Sequence, residues 1–190
     1  MILAAARSLF ARQGYHGTSI GDIARETGCA EALLYRHFPS KQALLAAVLA
    51  DGGRTVRAEI EEALAEVGDD PFGALVGSLG RRRSAVDMAD ALRVRSLAVT
   101  MVHDPEIRES LEEHVVSFRV LIAAAALTSQ RNGYLRTDVG HEQIAALVSG
   151  ISFLAAFELA MFGARALDAM GPVAQTLLTV LRPLDRPEPA

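Results

Sequence analysis

This 190-residue chain has one cysteine, one lysine, no tryptophan and seven prolines, and each scarcity excludes something. A lone Cys29 builds neither a disulfide framework nor a multi-cysteine metal site within one chain, which fits a reducing cytoplasm. In the turn where it falls, Cys29 reads as a small packing residue. The prolines stand mostly where helices would begin or end, and no alternating apolar and polar pattern is long enough to demand a sheet. Internal repeats and low-complexity stretches are absent. No Ser-His-Asp or Cys-His arrangement is legible, so no catalytic residue and no cofactor is expected. His103 and His114 are too sparsely accompanied to form a metal site. What remains is rich in Ala and Leu and 51% hydrophobic, ample for a packed core and pointing to an all-α protein.

The formal charge of −4 hides two unlike regions. Residues 1–50 carry five basic against three acidic side chains, +2, whereas residues 51–190 hold 14 basic and 20 acidic, −6. The positive end is the candidate for polyanion contact. At the N-terminus Arg7 and Arg12 interrupt the apolar start before a secretory core accumulates. The run from Ile144 to Phe162 approaches a membrane span in length, but Glu158, Ser149 and Ser152 fit a helix buried between subunits better, so no membrane partner is expected. The Arg81-Arg82-Arg83 run reads as a solvated face.

Helical spacing of Ile2, Ala5, Ala6, Leu9 and Phe10, ended by Gly14, predicts a first helix over about 2–13. Ser19 with Asp22 in the first turn starts a second, stopped at Gly28. A third fits Glu31 to His37 before Phe38-Pro39 breaks it, and Ser40 caps a fourth from Lys41. Asp70-Pro71 and Asp104-Pro105 each set a capping carboxylate before a proline suited to the first turn. They open helices near 71 and 105, the latter reaching about Arg131. After the connector Tyr134 to Asp138, an apolar helix spans about 141–162, and a last one runs from about 172 to 182.

Three short helices with a tight turn between the second and third satisfy the geometry of a helix-turn-helix, whose latter helix enters the major groove. Ala24 lets the helices cross closely, Gly28 supplies the corner, and Ile20, Ile23 and Leu34 fill the small core beneath. The sequence F10-A-R-Q-G-Y-H-G-T-S-I-G-D-I-A-R-E-T-G28, followed by L34-Y-R-H-F-P-S-K-Q-A-L44, closely resembles the N-terminal pattern of the TetR family of regulators. The match is dense over about residues 2–50.

The resemblance implies a helix-turn-helix DNA-binding domain over 1–47 and a larger helical domain for ligand binding and dimerisation over 48–190. It implies that Tyr35, His37 and Lys41 hold phosphates, that Thr18 adds another phosphate contact with Ser19 also among the DNA-binding residues, and that Glu31, Ala32 and Leu33 face base edges. Two residues depart from the pattern. Ala30 stands where a capping Ser or Thr is usual, and Glu31 where a neutral or basic residue is typical.

In the larger domain Met88, Leu92, Met101, Phe118, Phe153, Phe157 and Met161 are candidates to line an apolar cavity, with His103 or Arg95 orienting a ligand. Glu158 is left open among ligand contact, a dimer pair and solvent. The expectation is a cytoplasmic homodimer bound to a near-palindromic double-stranded operator and released by a partly apolar small-molecule effector, with helices 141–163 and 172–182 forming the two-fold interface. The alternative is a helical small-molecule-binding protein whose DNA affinity is weak or lost.

Overall fold

The computed structural model describes residues 1–65, 68–79, 85–163, 165 and 170–183, with only the backbone described at 59, 63, 65, 77–79, 85–88 and 170. Arg81-Arg82-Arg83 and the tail beyond Pro183 lie outside the described residues. Among these residues the secondary structure is helical, without strands. The order is α1 (Ile2–Gly17), α2 (Ile20–Thr27), α3 (Glu31–His37), α4 (Lys41–Ala65), α5 (Pro71–Leu79), α6 (Ala85–Val99), α7 (Pro105–Arg131), α8 (His141–Phe162) and α9 (Met170–Leu181).

The starts follow from local chemistry. Ser19 and Asp22 form a reciprocal capping box at α2. The Asp104 carboxylate accepts from the Glu106 and Ile107 amides ahead of α7, and the Ser40 hydroxyl accepts from the Ala43 amide at α4. Gly28 ends α2 in the left-handed conformation at φ 67°. Gly14 (φ 73°, ψ 171°) breaks α1 at the expected place, but a further turn follows the kink and reaches Gly17. Helix α6, unmarked by a proline or a clear cap in the sequence, is a separate element.

Two cores share the long helices. In the first, Phe10, Ile23, Leu34, Leu44 and Leu45 from α1 to α4 pack with Val94 and Ala98 of α6 and Ile107 and Leu111 of α7. The three-helix unit thus rests on the body, and the expected boundary after residue 47 falls inside the continuous α4. In the second, Ile60, Phe72, Leu75, Ile122, Ala126, Ile144 and Val148 join α4, α5, α7 and α8. Buried Ser129 ties α7 to α5 by accepting from the Phe72 amide at 3.0 Å.

Helix α8 is long and apolar enough to cross a membrane, yet its Ile144, Ala145, Val148, Ala155, Ala156 and Leu159 are buried against the rest of the protein. Its opposite face exposes Leu147, Leu154, Phe157, Met161 and Phe162.

Neither Gly14 nor Gly28 would bring an added Cβ within 4 Å of another atom, so their requirement is one of backbone conformation. Gly14→Ala and Gly28→Ala are each expected to lower unfolding free energy by about 1–2 kcal/mol in urea titrations. Gly52→Ala, in the interior of α4 with equally open space, is expected to raise it by about 0.5–1 kcal/mol.

Candidate functional site

The α2–α3 corner presents the edge of a short helix to solvent. Leu34 anchors α3 in the core, so Glu31, Ala32, Tyr35, Arg36 and His37 are exposed and Leu33 is half-buried. The phenol of Tyr35, 52% exposed, and the His37 imidazole can both donate to phosphate oxygens. Arg36, between them, was not singled out in the sequence; its signal was a cation at the C-terminal end of a candidate recognition helix. At Ala30 no side chain caps α3. The Glu31 carboxylate folds back over α2, where a Cβ on Gly21 would lie 2.6 Å from Glu31 Oε1. Glycine at position 21 gives it room.

Three other expected contacts are engaged internally. Thr18 is 1% exposed and its hydroxyl donates to the Gly14 carbonyl at 2.9 Å, closing the turn after the α1 kink. Ser19 is exposed, but its hydroxyl donates to Asp22 Oδ2 and accepts from the Asp22 amide. The Ser19 hydroxyl, the Ser19 amide and neighbouring Arg25 hold the Asp22 carboxyl below its usual range. Lys41 Nζ donates to the Tyr15 and Thr18 carbonyls at 2.8 and 2.9 Å and lies 4.2 Å from the centroid of the Tyr15 ring. Two of its three N–H groups thus bind the end of α1 to the start of α4, leaving one for an external acceptor.

The candidate ligand residues of the body are not gathered into one pocket. Met101 packs against the first core, and His103 is exposed in the turn before α7. Phe157 and Met161 are 60% and 62% exposed on the outer face of α8. The side chain of Met88 lies outside the described residues. Leu92 packs beside Ala89 and Leu159, and Phe118 packs against the second core. Glu158 is half-buried on α8.

Phe118 and Phe153 instead flank a polar pair that the sequence did not single out as a unit, Arg95 and His114. Arg95 Nη2 donates to the Ser152 carbonyl of α8 at 2.6 Å, and Nη1 lies 3.5 Å from His114 Nε2 of α7. Its guanidinium is 5.2 Å from the Phe153 ring centroid, while the His114 ring stacks on Phe118 at 6.4 Å. Burial lowers the Arg95 pKa to about 10. Burial, and then the Arg95 charge, lower that of His114 to about 4, so the imidazole is neutral at pH 7.

Two measurements follow from this geometry. Lys41→Met is expected to lower unfolding free energy on the order of 2 kcal/mol through loss of two charged hydrogen bonds, read as a fall in the urea midpoint without DNA. Unfolded chains bind a proton at His114 near pH 6.5, whereas the folded protein does so only near pH 4. Stability therefore falls as pH drops through that window, by at most roughly 3 kcal/mol from this group. Urea midpoints at pH 7, 6 and 5 are expected to show a steeper decline for wild type than for His114→Gln.

The family described as bacterial regulatory proteins, tetR family, matches residues 2–48. The transcriptional regulator LmrA of Bacillus subtilis is 31% identical over 116 residues, 59% of this chain and 62% of LmrA, so the chain spans less than two thirds of that relative. The regulator UidR of Escherichia coli is 24% identical over 159 residues, 80% of this chain and 76% of its own. A transcriptional regulator from Saccharomonospora viridis, solved in complex with choline, shares the fold with a TM-score of 0.80 at 24% identity, covering 94% of this chain and 93% of that one. The chain is thus similar to the tetR family over its helix-turn-helix, residues 2–48, and its helical body shares the fold of the Saccharomonospora viridis protein.

Proposed function

We propose that the chain is a cytoplasmic, sequence-specific DNA-binding transcriptional regulator, a homodimeric repressor that leaves its operator when a small molecule occupies the helical body. The observation that carries this reading is the α3 edge, where exposed Ala32, Tyr35, Arg36 and His37 are held by a buried Leu34 behind a left-handed glycine corner. Tyr35, Arg36, His37 and the free N–H of Lys41 hold phosphates. Ala32, Leu33 and Glu31 meet base edges, where Glu31 selects for a cytosine amino group after swinging away from α2.

Residues 1–47 act as the DNA-binding unit and 48–190 as the effector and dimerisation unit, joined by α4. Dimerisation is supported by the exposed apolar face of α8 and by Val173 and Val180 of α9. Such a face is suited to a four-helix interface that repeats the recognition helix once per operator half-site. The choline complex of the structural neighbour supports a small-molecule effector in the body. The second reading, a ligand-binding protein with weakened DNA affinity, is favoured by the uncapped α3 and the folded-back Glu31.

Gel-shift titration of the intact protein against a random duplex pool separates them. The repressor reading predicts selective retention of a near-palindromic duplex whose affinity falls steeply between 50 and 200 mM salt, roughly the range over which phosphate contacts are screened. Tyr35→Phe and His37→Ala are each expected to cost about 1 kcal/mol on all duplexes alike, whereas Glu31→Gln raises non-specific affinity and blurs selection. No binding at low salt by a soluble dimer favours the second reading. Phe157→Asp is expected to yield monomers in sedimentation velocity.

A further inference from the structure

Arg95 lies among α6, α7 and α8 with an unmet demand. Its Nε is enclosed and, among the described residues, has no hydrogen-bond partner. Nη2 reaches only a neutral carbonyl and Nη1 a neutral imidazole. Among the described residues no carboxylate forms an ion pair with Arg95; Asp90, on the same helix, pairs with Arg93 at 3.6 Å. An aromatic face at 5.2 Å offsets part of the desolvation of a guanidinium, but not its missing counter-charge. Enclosed charges without partners are found where something else completes them.

The same group touches the helix that joins the two units. The His114 ring lies against the backbone of α4, where a Cβ on Gly53 would come within 3.1 Å of Nδ1. Only glycine at this position admits the ring without a shift. Arg95, His114 and Gly53 therefore form a contiguous path from α6 through α7 to α4.

We infer that the helical body takes an organic carboxylate with an apolar frame, Arg95 serving as its counter-ion and His114 passing its arrival to α4 at Gly53. On binding, the guanidinium turns from its enclosed seat so that one carboxylate oxygen accepts from Nε, and the frame lies along Phe153 and Phe118. Pulling Arg95 toward the anion changes its 3.5 Å approach to His114 and hence the seat of the ring on α4. This deepens the effector reading given above and does not depend on DNA binding.

The test is thermal unfolding of the full chain with straight-chain carboxylates from butyrate to decanoate, each beside the alcohol and the trimethylammonium ion of equal length. At least one acid is expected to raise Tm saturably while its alcohol and ammonium counterparts do not. Arg95→Met is expected to unfold at a higher temperature than wild type without ligand, since it removes an unmatched charge, and to lose the response at least tenfold in half-saturating concentration. Arg95→Lys should keep a weakened response. Hydrogen exchange of α4 amides around Gly53 should slow with the acid in wild type but not in His114→Ala. The inference is overturned if no acid shifts Tm, if alcohols or ammonium ions act equally, if both Arg95 variants fail to fold, if Arg95→Met responds like wild type, or if α4 exchange is unaltered. Loss of operator binding with these responses intact would instead overturn the repressor reading alone.

Discussion

The single lysine of the chain fixes the geometry on which the rest depends. By donating to two carbonyls at the end of α1, the Lys41 ammonium ties the first residue of α4 to the unit that carries α3. Free carbonyls at a helix end need donors, and a half-buried cation supplies them with more strength than a neutral group. Because α4 then runs unbroken for 25 residues into the body, the unit that carries α3 and the body share one continuous helix. The shared core of Leu44, Leu45, Val94 and Ile107 resists independent rotation of the two units.

Against that rigid joint the recognition helix itself is weakly specified. It has seven residues, no side-chain cap and one fully buried anchor, Leu34. Helices so short draw their stability from packing rather than from propensity, and here Ile20, Ile23 and Ala24 supply the floor. The Glu31 carboxylate rests over Gly21 in the first turn of α2. In the proposed reading, contact of Glu31 with a duplex competes with this internal resting place for the same side chain.

Much of the N-terminal unit was legible in the sequence because its determinants are local. Ser19 with Asp22, Gly28, Phe38-Pro39 and Ser40 act within one turn of their own position, and all mark element ends in the structure. Asp-Pro pairs did the same for α5 and α7. The engagement of Thr18 and Lys41 was not legible, since a hydroxyl closing a kink and an ammonium bridging 26 residues depend on where the chain returns. In the body the same limit is stronger. Apolar residues such as Phe157 and Met161 look alike in sequence whether they line a cavity or an outer face, and only the packing of α8 on α6 and α7 separates them. Arg95 and His114, 19 residues apart, carry no local sign of being neighbours.

The proposed repressor requires two recognition helices held at a fixed distance by a symmetric pair of bodies. The most direct measurement is the distance between them, by double electron–electron resonance on a spin label at Glu26→Cys in a Cys29→Ala background. The account predicts a narrow distribution in the operator complex, consistent with recognition helices roughly 34–36 Å apart, one helical turn of DNA, and a shift of its centre when an effector occupies the body. A protein that shows no dipolar coupling at working concentration, or a distance unaltered by operator and effector alike, would contradict it.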